Sequence, residues 1–366
     1  MVASRLRLRD FRSHAVADVP LGERLTVVHG PNGAGKTNLL EGLYFACTGR
    51  SCRTSNEREV VRFGAPAARA EVEGHDEDGP HELAVGFAPG EVKRLRADGA
   101  PVERLLDVPF RPLVAVFLPD RLELVKGAPS LRRAHLDQVV AGLWPARSGT
   151  RRAYGQALAQ RNALLARIRG GGSRSALAAW DLELGRHALA LMADRARAVE
   201  LLTERFAAAA AELGLAGAAA LRYRPRSSAG TAEAFAAELA DRLDGDLERG
   251  FTGHGPHRDD LQLSRDGREL RTYGSQGEQR LALLALLLAE RDALQDARGR
   301  VPLLLLDDVM SELDADRRGA LVARITGAGQ ALVTTTDLAH VPGAEAPDVV
   351  RLRVEGGAVR EEAVVG

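Results

Sequence analysis

The sequence predicts an α/β fold: a buried sheet organised by one glycine-rich loop, an antiparallel β layer beside it, and an inserted α-helical lobe. Three observations predict it. The apolar run at 25–28 feeds into Gly30, Pro31, Asn32, Gly33, Ala34, Gly35, Lys36 and Thr37, and a helical stretch follows at once. That is the strand, loop, helix order in which a backbone cradles phosphate. Short apolar segments return at 113–118, 301–306 and 331–333, each the length of a buried strand. From Ser130 the pattern turns helical and Ala-rich, with interruptions at 145, 170–172 and 214, as far as Gly250. These shifts divide the chain into one lobe of residues 1–120 and 251–366 and a second of residues 121–250.

Residues 4–10 alternate apolar and charged, the period of a half-buried strand, and Phe11, Arg12 and Ser13 close it. In the loop, Gly30, Gly33 and Gly35 let backbone N–H groups curl around phosphate oxygens. Lys36 is placed to reach the β- and γ-phosphates, the Thr37 hydroxyl to ligate Mg²⁺, and the helix from Lys36 to about Cys47 to aim its N-terminal dipole at the anion. Lys36, Lys93 and Lys126 are the only lysines in an otherwise arginine-based chain. A lysine retained in the loop suits a site needing a compact ammonium.

The polar loop 48–54 carries Arg50 and Arg53 near the nucleotide end, and short strands at 68–73 and 82–87 form the antiparallel layer. After the buried strand 113–118 comes Pro119-Asp120, then the helical lobe, whose stretch 176–213 suits either an interaction arm or a compact bundle. His254, His257, Asp259 and Asp260 resemble a metal set, but Gly255 and Pro256 prevent a regular helical face, and a structured turn between lobes is the preferred reading.

Ser275, Gln276 and Gly277 open a long apolar helix, a second anion-binding geometry. The strand 301–306 then delivers Asp307 and Asp308 at its carboxyl end. An acid there, beside a phosphate loop, holds Mg²⁺, and a second carboxylate orients or deprotonates the attacking water. Ser311-Glu312-Leu313-Asp314 precedes a helix to about Ile325, and the strand 331–333 ends in Thr334-Thr335-Thr336-Asp337.

At 366 residues, 45% hydrophobic and 27% charged, the chain suits two globular lobes. Its longest apolar run, 281–289, is too short to cross a bilayer, and its start lacks a signal peptide's apolar core. A cytoplasmic protein with no membrane partner is expected. Cys47 and Cys52 are too few for a disulfide framework. Net charge is zero, yet residues 121–175 hold eleven basic side chains against two acidic ones. Such a stripe suits a phosphate backbone, with Arg132, Arg133, Arg151 and Arg152 as candidate DNA contacts; the alternative is a solvated helix face.

Phosphate loop, Ser-x-Gly helix start, acid-tipped strand and Ser-Glu-Leu-Asp together resemble an ABC-type ATPase head. The chain more closely resembles the RecF family of bacterial recombination-repair ATPases, related to the SMC proteins. The resemblance is carried by residues 8–12, 30–41, 49–51, 122–127 with Arg132 and Arg133, 255–261, 275–280 and 304–314, spread from end to end.

That resemblance implies a head without a long coiled coil, in which two chains sandwich two ATP molecules, Lys36 and Thr37 of one facing Ser275, Gln276 and Gly277 of the other. It implies ATP-driven homodimerisation on duplex or gapped DNA, slow DNA-stimulated hydrolysis as a release timer, Mg²⁺ held by Thr37 and Asp307, and Lys36 and Asp308 as catalytic groups. RecR, with RecO and RecA, is the implied partner set. Three departures from the wider ABC pattern stand out: Asp308 replaces the usual Glu, Pro119-Asp120 stands where a Gln is expected, and only Thr335 or Thr336 is available at the switch-histidine position. A transporter's energy-coupling subunit would carry the Gln and His switches, and a nuclease head would need a further cluster of metal-binding acids.

Overall fold

The computed structural model describes residues 1–327 and 329–362 and separates them into two compact units, Met1–Asp120 with Arg300–Gly366, and Arg121–Gly299. In the first unit, a six-stranded antiparallel sheet runs in the order His14–Pro20, Val2–Phe11, Ala68–Asp76, Gly79–Phe87, Arg94–Ala97, Ala100–Pro101. A second six-stranded sheet runs Ala358–Glu361, Val349–Glu355, Leu25–His29, Ala331–Thr335, Leu303–Leu306, Val114–Phe117. It is parallel except at the Ala358–Glu361 edge.

One core joins the two sheets through the helix Lys36–Thr48. Leu39, Leu40, Leu43 and Phe45 of that helix are buried with Leu6, Leu8, Val72 and Val85 of the antiparallel layer and with Leu305, Leu332 and Leu352 of the parallel one. A Cβ on Gly42 would lie 2.6 Å from a Leu8 methyl, so helix and layer meet closely there and any larger residue would have to displace the Leu8 side chain. The alternation of residues 4–10 is therefore a core-facing period of two, as expected. The strands His14–Pro20, Val349–Glu355 and Ala358–Glu361 were not expected from the sequence.

The second unit is a helical bundle with a small sheet. The helix Leu177–Glu212 packs against Thr150–Arg169, Ala232–Ala240 and Gln276–Arg298, which makes it a bundle core and not an arm. At its centre the fully buried Arg161 donates to Asp181 at 2.6 Å, Asp246 at 2.7 Å and Thr252 at 2.8 Å. The unit boundary differs from the expected break at Gly250. The strand Asp260–Arg265 pairs antiparallel with Ala219–Arg224, an unforeseen strand inside the helical lobe. That pairing and the packing of Gln276–Arg298 tie residues 251–299 to the bundle. Among the described residues, no helix is long and apolar enough to cross a membrane.

Candidate functional site

The phosphate loop leaves the strand Leu25–His29 and enters the helix Lys36–Thr48 with Gly30, Gly33 and Gly35 at φ of 148°, 78° and 116°. Two of these glycines are also required by the surrounding structure. A Cβ on Gly30 would fall 2.2 Å from the Val354 carbonyl oxygen, and one on Gly35 would meet Ser13 Oγ at 2.7 Å. The C-terminal hairpin braces the loop: Gly357 N–H donates to Ala34 O at 3.0 Å, and the buried His14 ring spans Gly35 O at 3.1 Å and Gly357 O at 2.7 Å. The helix's first N–H groups have no intrahelical acceptor and provide its anion-attracting end.

Lys36 is buried, and its ammonium donates to Gly30 O at 2.7 Å and Pro31 O at 3.0 Å, leaving a third N–H for an anion. Burial lowers its pKa, while Asp308 and Asp307 pull in the opposite direction. Asp307 stands at the tip of the strand Leu303–Leu306. Thr37 Oγ1 lies 2.9 Å from each of its carboxylate oxygens, and Thr334 Oγ1 donates to Oδ1 at 2.7 Å. Burial raises the Asp307 pKa; hydrogen bonds from Thr334 and Thr37 lower it, and the neighbouring Asp308 adds to the rise. Asp308 takes a left-handed conformation at φ 50°, and its Oδ1 is buried with no hydrogen-bond partner among the described residues.

These groups line a cleft of about 280 Å³ with Asn32, Gly33, Gly35, Asn38, Arg53 and Pro119. Hydroxyl and carboxylate oxygens are the hard donors that Mg²⁺ prefers, so Thr37 and Asp307 fit that cation. Behind the cleft, the buried Glu41 receives Arg12 at 2.8 and 2.9 Å, Ser51 at 2.5 Å and Arg53 at 3.4 Å. Arg53 also donates to Asn38 at 3.0 Å.

Thr334, Asn38 and Pro119 line the cleft without having been expected there from the sequence. Three threonines stand in a row at the strand tip, and pleating selects which one turns toward the acids. Thr335, one of the two expected at the switch position, instead donates its hydroxyl to Asp337 O at 2.9 Å.

In the second unit, Ser275 caps the helix Gln276–Arg298. Its Oγ accepts from Glu278 N–H at 3.3 Å and its own N–H donates to Glu278 at 2.8 Å, a reciprocal capping box readable from the Ser-x-x-Glu spacing. Ser275, Gln276 and Gly277 are all exposed.

The candidate DNA contacts separate. Arg132 must be withdrawn: it is buried, and its guanidinium pairs bidentately with Asp260 at 2.7 and 2.9 Å. Helical period set its side chain inward, which a charge count does not register. Arg133 is half-buried and donates to Asp259 O at 2.8 Å, whereas Arg151 and Arg152 are exposed.

The His-Asp set is dispersed among separate partners. His254 meets Glu238 at 2.6 Å, His257 lies between Tyr154 and Thr252, Asp259 accepts from Arg226 N–H at 2.6 Å, and Asp260 holds Arg132. Its turn, Pro256–Arg258, belongs to the second unit.

Comparison with known proteins covers both units. A family model described as an AAA domain matches residues 5–94. The DNA replication and repair protein RecF of Anaeromyxobacter sp. (strain Fw109-5) is 42% identical over 97% of both chains. The protein of the same name from Myxococcus xanthus (strain DK1622) is 38% identical over 98% of this chain and 97% of its own. Among solved structures, the recombination mediator protein RecF-ATP in the RecFOR pathway matches at a TM-score of 0.86 with 25% identity, covering 99% of this chain and 98% of that one. An SMC head bound to the C-terminal winged-helix domain of ScpA matches in fold at 0.61 with 16% identity.

Proposed function

The chain belongs to the RecF family of DNA replication and repair proteins, and we propose that it is an ATP-dependent DNA clamp whose hydrolysis acts as a release timer. The observation that carries this reading is the convergence of Lys36, Thr37, Asp307 and Asp308 on one cleft. The glycine loop and the helix N-terminus hold the triphosphate, and the Lys36 ammonium neutralises its β- and γ-oxygens. Thr37 and Asp307 would hold Mg²⁺, which would offset phosphate charge. Asp308 orients the attacking water and accepts its proton. Aspartate is one methylene shorter than the glutamate usual at this position, which supports slow hydrolysis; its stimulation by DNA belongs to the clamp and not to this residue.

Ser275, Gln276 and Gly277 serve a second copy of the chain. Their exposure, together with a helix start suited to phosphate, supports completion of the nucleotide site in trans within an ATP-dependent homodimer. Duplex or gapped DNA is the polyanion engaged, through Arg151, Arg152 and the half-buried Arg133. The solved relative's place in the RecFOR pathway supports RecR and RecO as partners, with RecA loading as the outcome served.

The test is the mass of the purified chain by light scattering with Mg²⁺-ATP and with Mg²⁺-ADP, each with and without a short duplex. A dimer with ATP alone that persists on DNA supports the clamp, and a monomer under all four conditions removes it.

A further inference from the structure

We propose that Thr334 is a positioning residue that fixes both acids of the cleft with one hydroxyl. Its O–H donates to Asp307 Oδ1 at 2.7 Å, and the same oxygen accepts the Asp308 backbone N–H at 3.0 Å. Thr334 is fully buried at the carboxyl end of the strand Ala331–Thr335, whose register sets Val333 beside Leu306, the residue before Asp307. A hydroxyl is required there. Its proton and one lone pair serve two buried groups at once: the Asp308 N–H, which Thr334 alone accepts among the described side chains, and the Asp307 carboxylate, which would otherwise keep only the Thr37 hydroxyl.

The bond to Asp308 N–H falls where the chain turns left-handed at φ 50°. Thr334 therefore determines where the Asp308 carboxylate leaves the backbone. The bond to Asp307 has a second role. Among the described residues, Thr37 and Thr334 are the hydroxyl donors to that carboxylate. Thr37 Oγ1 is the oxygen expected to turn toward Mg²⁺, which leaves Thr334 to hold Asp307 in orientation. This inference rests on the nucleotide reading above. It adds that the oxygen ordering both acids comes from the middle strand and not from the phosphate loop.

The test measures ATP affinity in excess Mg²⁺ and in EDTA, and the turnover of Mg²⁺-ATP, for the unaltered chain and for T334V and T334S. Removing a group that orients a metal ligand costs about ten- to a hundredfold in metal affinity or activity. T334V is expected to lower the tightening by Mg²⁺ about tenfold and kcat about tenfold or more, with affinity in EDTA within about twofold of the unaltered chain. T334S, which keeps the hydroxyl, restores both. T334A carries the same comparison should T334V fail to fold. Equal Mg²⁺ dependence and kcat in T334V and the unaltered chain overturn the inference and leave the nucleotide site standing. An unaltered chain that binds no nucleotide overturns both.

Discussion

Thr37 Oγ1 lies 2.9 Å from each oxygen of the Asp307 carboxylate, although 270 residues separate the two. The parallel sheet makes the contact. The strand Leu25–His29 delivers the phosphate loop, Leu303–Leu306 delivers the acids, and Ala331–Thr335 runs between them. All three strands end at the same edge, so their tips supply ammonium, hydroxyl and carboxylate to one cleft.

Lys36→Ala and Asp307→Asn are expected to separate binding from chemistry. Loss of the ammonium removes charge-assisted hydrogen bonds to the phosphates, and ATP affinity should fall roughly ten- to a hundredfold. Asp307→Asn keeps the shape and removes the charge, so ATP still binds while hydrolysis falls roughly a hundredfold. Isothermal titration and a phosphate-release assay read the two effects. A D307N variant that hydrolyses ATP normally would show that Asp307 does not serve the metal.

Ser275→Arg is expected to block the ATP-dependent dimer and leave monomer affinity for ATP unchanged. Ser275 is exposed at a helix start, so the larger side chain projects outward at the cost of a helix cap, about 1 kcal/mol. Sedimentation with Mg²⁺-ATP checks this. A dimer of normal stability in S275R would place the second copy's contact elsewhere.

The arginines are expected to divide by burial. Arg132→Ala strands Asp260 beside a vacated ion pair and should cost about 3 kcal/mol of stability. Arg151→Ala with Arg152→Ala should leave the melting temperature within a few degrees, because Asp137, which Arg151 meets at 3.3 Å, keeps Arg195 at 2.8 Å, and should weaken duplex binding evenly across sequences and flatten its salt dependence. Unchanged duplex affinity in the double variant would identify the stripe as a solvated face.

The parts of the site that lie contiguous in sequence were legible before folding. The loop at 30–37 and the acids at 307 and 308 each carry their chemistry in local spacing. What was not legible depends on side-chain direction or on long-range pairing. Arg132 and Arg152 weigh alike in a charge count, yet the packing and phase of their separate helices, Pro129–Leu143 and Thr150–Arg169, bury one against Asp260 and expose the other. Thr334 and Thr335 are adjacent and alike, yet the pleat sends one to Asp307 and the other to Asp337 O. The strand Ala219–Arg224 was hidden because its partner lies some forty residues on, and without that pairing the break after Gly250 passed for a lobe boundary.

His257 is expected to make the helical unit acid-labile. Tyr154 O–H meets Nδ1 at 2.7 Å, and Nε2 meets Thr252 O at 2.9 Å. A carbonyl only accepts, so Nε2 carries the proton and Nδ1 accepts from the tyrosine, which is the neutral ring. Burial pushes the His257 pKa down from 6.5 to about 4; the Thr252 carbonyl opposes the fall, and Arg258, Arg133 and His254 add to it. Between these values the unfolded chain binds the proton and the folded chain does not. The stabilisation is complete above 6.5 and is lost as pH falls toward about 4. The full difference is about 3 kcal/mol. Urea midpoints from pH 7.5 to 4.5 should therefore fall in the unaltered chain, and the fall should be shallower in H257Q, whose amide has no proton to gain in this range. Parallel curves for the two proteins would show that acid sensitivity arises at other groups.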